Sequence, residues 1–189
     1  MQASLGLAGL AALPIPAFAA PHPRTVIAAA KAGLERVGAH VSHRDIVGVA
    51  DFRPASRQPR LHLVDLASGR VDSLLVAHGV GSDPKHTGYL HRFSNAMAAD
   101  CTSEGAYVTG HYYVGEHGHA MSLKGLDPTN NNAEARRVVV HQAWYVSPAM
   151  ARRYGMIGRS QGCFAVSHAK LEHVLARLSP GHLLIATKL

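Results

Sequence analysis

Along residues 25–38, TVIAAAKAGLERVG, apolar side chains fall at Val26, Ala30, Leu34 and Val37. That spacing is one face of a 3.6-residue period and predicts a helix, with Thr25 as its cap and Gly38 at its end. A polar, proline-containing connection follows over 51–60. From Leu61 the period changes to two: Leu61, Leu63 and Asp65 alternate with His62, Val64 and Leu66, and Ser68-Gly69 supplies the turn of a β-hairpin. Loop residues dominate 79–95. The Tyr, Val and Thr content of 105–115 predicts a strand, 119–126 a partner for it, and the β-branched run 137–146 a buried strand with His141 in its middle. Ser147 followed by Pro148 opens a short helix. Residues 167–181 predict an amphipathic helix, with Ser167 as its cap and Leu171, Val174, Leu175 and Leu178 facing inward, and 182–189 closes as a strand. Turns rather than long crossover helices join the strands, so the expected class is mainly β (α+β), with a mixed or antiparallel sheet.

The first residues break this alternation. Leu5 to Leu13 is apolar, Pro14 and Pro16 follow, then Ala17-Phe18-Ala19, and no charged side chain precedes Arg24. The pattern fits the apolar region and A-x-A cleavage site of a secretory signal over 1–19, without its basic start. It is too short and too proline-broken to cross a bilayer. Export to the periplasm or cell envelope is expected, with a helical extension and linker over 20–59 and the main domain over 60–189.

Of 189 residues, 47% are hydrophobic and 16% charged, enough apolar material for a core. The net charge is +7. A basic surface favours polyanions or carboxylate-rich polymers. The Lys and Arg are scattered with few aromatics among them, which gives no support to a nucleic-acid surface.

Candidate chemistry begins with Cys163 in RSQGCFAVS, one of two cysteines. A thiolate nucleophile needs a base or cation close by and donors for a developing oxyanion. Gly162 lets the backbone turn tightly, Arg159 adds positive charge, and a helix starting near Ser167 would add its dipole. His141 is the candidate base. Each also has a plain structural reading, Cys163 as a small buried hydrophobe and His141 as a hydrogen-bonded core residue.

His141 followed by the Ser-x-Gly-Cys loop resembles the YkuD-type L,D-transpeptidase domain, whose signature is a strand His and a later [ST]-H-G-C. In order, GVGSD, RFSN, TSEGAYVTG, YVGEHG, SLKGLDPTNNNAEARRVVVH and GRSQGC resemble the motifs of the murein L,D-transpeptidase catalytic-domain subfamily, over about residues 60–189. The resemblance implies a YkuD-like mixed β-sheet sandwich or barrel with a few short flanking helices. It implies Cys163 as the acyl-forming nucleophile and His141 as its general acid/base. Gln142 would orient His141 through its main-chain carbonyl, and the Gly162 and Cys163 N–H groups would form the oxyanion hole. Ser160 and Arg159 would shape the loop. Three positions depart from the family: Gln142 where Gly is usual, Gln161 where His or Trp is usual, and Phe164 where the subfamily tends to have Pro. They bear on substrate preference.

The implied reaction is transfer of a peptidoglycan stem peptide through a Cys thioester to an acceptor amine, without metal or other cofactor. The same thioester resolved by water would make an L,D-carboxypeptidase or a trimming enzyme. The partners are then donor and acceptor stem peptides, and the protein is peripheral to the wall, with no transmembrane span after signal removal. Two other classes stand beside this one. His117-Gly118-His119 is an HxH pattern of the kind zinc cell-wall peptidases use, although no partner pair for it is evident. His117 falls on a family position and could line the cleft. A non-catalytic peptidoglycan-binding module is the other. Cys101 reads as a bland thiol or a redox partner of Cys163. Tyr112, Tyr113, Trp144 and Tyr145 fit core or glycan-facing positions equally.

Overall fold

A computed structural model describes residues 21–116 and 118–189. The expected signal segment and His117 lie outside the described residues. Helix α1 spans Pro23–Val37. It starts two residues before Thr25, because Pro23 pre-sets the first helical turn and His22 Nδ1 accepts the Arg24 N–H at 3.2 Å. Eight strands follow: β1 (Ile46–Asp51), β2 (Leu61–Asp65), β3 (Val71–Leu74), β4 (Gly105–Gly115), β5 (Gly118–Gly125), β6 (Val139–Gln142), β7 (Phe164–Val166) and β8 (Leu183–Thr187). Helix α2 (Pro148–Tyr154) lies between β6 and β7, and α3 (Leu171–Arg177) between β7 and β8.

The strands form one mixed sheet in the order β3-β2-β1-β8-β4-β5-β6-β7. The β1–β8 and β6–β7 pairs are parallel and the rest antiparallel. The expected mixed sheet with short flanking helices is therefore what the chain forms. β1 lies inside the segment read as an extension and linker, yet it sits between β2 and β8. α1 packs Val26, Ala30 and Val37 on Val47, Val49, Leu183 and Ile185, covering one face of this half of the sheet. Each such buried aliphatic side chain contributes roughly 1.5–3 kcal/mol. The opposite face carries the larger core, in which Phe52, Tyr107, Met121, Val140 and Phe164 pack against Val174, Leu175 and Leu178.

Several elements differ from the periodicity reading. β1 was not anticipated: all six of its residues are buried, so no alternation betrays it. β7, three residues long, is too short to show a period. The run 137–146 contributes only β6, because the chain turns at Ala143, where Val146 N–H bonds back to Ala143 O. The expected helix over 167–181 is shorter. Lys170 and Leu171 N–H both bond to Ser167 O in a 3-10 turn, so the Ser167 hydroxyl makes no cap. Ser147 does cap α2, accepting from Met150 N–H at 3.1 Å.

Candidate active site

Register brings the two candidate residues together. In the parallel β6–β7 pair, Val140 faces Phe164 and His141 faces Ala165. Cys163, one residue earlier, is therefore opposite Val139 and on the same sheet face as His141, offset by two residues or roughly 6.6 Å along the strand. The row across that face continues through Ala120, opposite His141, to Tyr113, opposite Ala120. Ala120 is small, and it leaves room between the His141 and Tyr113 side chains. The opposite row, Tyr112–Met121–Val140–Phe164, points to the other side, and its last three members are core.

His141 is buried, and its Nδ1 lies 2.7 Å from the Gln142 carbonyl. A carbonyl only accepts, so Nδ1 carries the proton and Nε2 the lone pair. The Gln142 side chain turns away, its Oε1 bonding to His168 Nδ1.

Cys163 is partly buried, with Sγ 3.6 Å from Arg137 O. Burial pushes its thiol up, and the Val139 N–H and the Arg136 guanidinium pull it only part of the way back. The cation near the thiol is thus Arg136. Arg159 instead donates to Asp83 O, on the far side of the loop. The loop leads into β7 and not directly into α3, which begins only at Leu171.

The loop itself is built by Ser160. Its hydroxyl donates to Cys163 O at 2.7 Å and accepts the Gly162 N–H at 3.1 Å. Its backbone bonds to His78 O and Val80 N–H tie the loop to the 78–80 segment. The Gly162 N–H, expected in an oxyanion hole, is therefore engaged inside the loop. Gly162 has φ +113°, a region L side chains rarely adopt, and it lies against the Cys101 carbonyl and Arg136. Arg136 donates to Cys101 O, Ser94 O and Ser103 Oγ, binding Cys101 and the RFSN and TSEGAYVTG motifs beneath the loop. Below this, His78 is buried beside Arg60 and Asp83. Its pKa falls to about 3 through burial and the Arg60 charge, which leaves it a neutral strut.

Two cavities flank the pair. One, of about 1090 Å³, is lined by Cys163, Gln161, Tyr113, Arg136, Arg137 and Lys124 among others. The second, of about 540 Å³, is lined by His141, Gln142, Trp144, Tyr145 and His168. Glu116, at the β4–β5 tip, borders both. Burial and the neighbouring Cys163 push the Tyr145 phenol up to about 12. Trp144 is 82% exposed. The four aromatics left unsorted by sequence thus divide: Tyr113, Trp144 and Tyr145 face cavities, and Tyr112 donates to Leu175 O at 2.9 Å.

His119, the described half of the HxH pattern, pairs with Glu172 Oε1 at 3.0 Å. Cys101 is fully buried and not in a disulfide. Arg136 escaped the sequence reading. An arginine in ARRVVV carries no local mark of a role, because the two carbonyls and the hydroxyl it binds are 33–42 residues away.

A family model described as the L,D-transpeptidase catalytic domain matches residues 22–186. No curated protein matches the chain. Among solved structures, an L,D-transpeptidase from Mycobacterium smegmatis is similar at 16% identity, covering 75% of this chain and 58% of that one, with a TM-score of 0.46. L,D-transpeptidase 3 from Mycobacterium tuberculosis in complex with a faropenem-derived adduct is similar at 15% identity, covering 76% and 60%, with a TM-score of 0.48. The chain thus spans about three fifths of the length of these structures.

Proposed function

The chain belongs to the L,D-transpeptidase catalytic-domain family, and from that premise we propose that it acts on peptidoglycan stem peptides through a thioester on Cys163, with His141 as general acid/base. Cys163 Sγ attacks the carbonyl that joins an L-centre to the following D-residue, and its proton passes to His141 Nε2. The tetrahedral oxyanion is met by the Cys163 N–H, with Ser160 holding the loop. The C–N bond breaks as His141 returns the proton to the leaving amine. An acceptor amine then attacks the thioester and gives its proton to His141, the C–S bond breaks, and His141 passes that proton to the departing thiolate, leaving a new amide and a free thiol. Two half-reactions split one difficult step into two easier ones with no nucleotide or metal. Export to the envelope, where stem peptides lie, goes with this reading.

The observation that carries it is the same-face placement of His141 on β6 and Cys163 at the residue just before the parallel β7, with the His141 Nδ1 bonded to Gln142 O. Two cavities meeting at the pair fit a reaction that receives a donor on one side and an acceptor on the other. Burial keeps the thiol protonated at neutral pH, so the proton leaves only when a carbonyl is in place and His141 can take it.

The test is intact-mass analysis after exposure to a carbapenem, alongside muropeptide profiles. An acyl adduct on the wild type that is absent from Cys163→Ala, with His141→Gln slowed at least 100-fold, is expected. No adduct, or one that persists in Cys163→Ala, refutes the proposal. Cross-linked products identify transfer to an amine, and shortened stems identify transfer to water.

A further inference from the structure

The parallel register of β1 and β8 brings a second cluster together in the middle of the sheet, just before these two strands begin. Val47 faces Leu183, so the same register sets Ile46 beside His182 and Asp45 beside Gly181, and Asp45 and His182 are diagonal neighbours whose side chains meet. His182 Nε2 is 3.3 Å from Asp45 Oδ1. His43 stacks on His182 with ring centroids 4.7 Å apart and planes at 22°. One ligand-type atom from each of the three residues lies within 4.8 Å of the others.

The protonation of His182 is informative. Its Nδ1 lies 2.7 Å from the Ser179 carbonyl, which only accepts, so Nδ1 donates there. In a neutral ring, Nε2 then presents a lone pair to a carboxylate oxygen at 3.3 Å. Two acceptors at that distance need a positive charge between them. A proton or a metal ion on Nε2 supplies that charge. A metal ion satisfies all three groups at once. Ligating histidines commonly donate their second ring N–H to a carbonyl, the bond His182 makes to Ser179.

We propose that His43, Asp45 and His182 form a binding site for a divalent transition metal of the zinc class, which fastens the segment after α1 to the start of β8. Two imidazole nitrogens and one carboxylate oxygen are a zinc donor set, and at 2.0–2.1 Å bond lengths tetrahedral ligand atoms stand roughly 3.3 Å apart. The His182–Asp45 edge already has that length. His43 is exposed and closes the remaining gap by side-chain rotation. The backbone is braced for it: Ser42 and His43 N–H both bond to Gly181 O, and Asp45 O accepts the Leu66 N–H at 2.9 Å. Gly181, at φ +94°, lets the chain pass within van der Waals reach of Ser42 and His43. The strand order β8-β4-β5-β6-β7 sets this site four strands, or roughly 19 Å, from the Cys163 end of the sheet. It takes no part in the proposed acyl transfer, and it ties residues 43 and 45 to residue 182 across most of the chain.

The test uses the full chain, stripped by a chelator and titrated with Zn²⁺ by calorimetry and with Co²⁺ by visible absorption. His43→Ala and Asp45→Ala are the variants, since both side chains are exposed. Cys163→Ala is the control for thiol binding. One equivalent of Zn²⁺ is expected, with Kd raised at least tenfold in each of the two variants and unchanged in Cys163→Ala. At 100 times Kd, zinc raises the wild-type Tm by roughly 5–10 °C, and the shift disappears in both variants. Absence of stoichiometric binding, a Kd unchanged in either His43→Ala or Asp45→Ala, or binding lost in Cys163→Ala overturns the proposal.

Discussion

Gly162→Ala adds one methyl group to the loop that carries Cys163. That methyl would sit 2.6 Å from the Cys101 carbonyl oxygen and 2.8 Å from an Arg136 nitrogen, where ordinary contacts begin at 3.4 Å. The carbonyl is backbone and Arg136 is held by three hydrogen bonds, so the loop must retreat by about 0.8 Å. The φ of +113° costs an L-residue about 1–3 kcal/mol, and the overpacking costs a further 1–3 kcal/mol. Gly155→Ala isolates the first cost: its φ is +69° and nothing lies within 4 Å of the added carbon. A displacement near 1 Å of a nucleophile slows its reaction by up to about 100-fold. The assays are thermal melting of both variants and the rate of carbapenem acylation of Cys163 by intact mass. Gly162→Ala is expected to melt well below Gly155→Ala and to acylate about 10- to 100-fold more slowly than the wild type. A Gly162→Ala protein that melts with Gly155→Ala and acylates within twofold of wild type refutes the argument that the Cys101 carbonyl and Arg136 set the loop.

Two other outcomes follow from the same loop. Burial raises the Cys163 thiol, so alkylation by iodoacetamide, with buried Cys101 protected, should accelerate with pH past the ordinary thiol value of about 8.5, and Arg136→Met should move the midpoint higher. The folded thiol holds its proton longer than the unfolded one, so the wild type loses stability as pH climbs from the unfolded to the folded value, a loss Cys163→Ala lacks. A plateau below pH 7 would instead reveal a preformed thiolate–imidazolium pair. Ser160→Ala strips the bridge between the Gly162 N–H and Cys163 O at a buried position, for an expected loss of about 1–3 kcal/mol in urea unfolding and slower acylation. Unchanged unfolding would show that the bridge does not hold the loop.

The local pattern of the chain places α1, the β2–β3 hairpin, β4, β5 and β8 near their observed bounds, through the amphipathic spacing of α1 and through β-branched or aromatic runs and turn residues in the strands, although β2 and β8 are themselves almost wholly buried. β1 carries no flanking turn signal of that kind. It is covered by α1 on one side and by the main core on the other, and Gly48 in its middle weakens the strand signal further. β7 is three residues whose extension is imposed by pairing with β6, not by its own propensity.

The candidate site divides in the same way. Residue types and motif order single out Cys163, His141 and the loop 159–163, since a nucleophile, a base and a tight glycine turn are recognisable one at a time. The Gln142 carbonyl is what the family resemblance implies as the partner of His141. The Ser160 bridge is local, its partners two and three residues away, whereas Arg136 and Tyr113 belong to the tertiary structure, as does the cluster of His43, Asp45 and His182. Their partners lie far off in sequence or on a neighbouring strand, and only strand order and register decide which face each side chain shares. Sequence alone determines which chemical groups are available and the local period that orients them. Long-range pairing determines which groups meet, because a shift of one residue in β6 against β7 would turn Cys163 and His141 to opposite faces of the sheet.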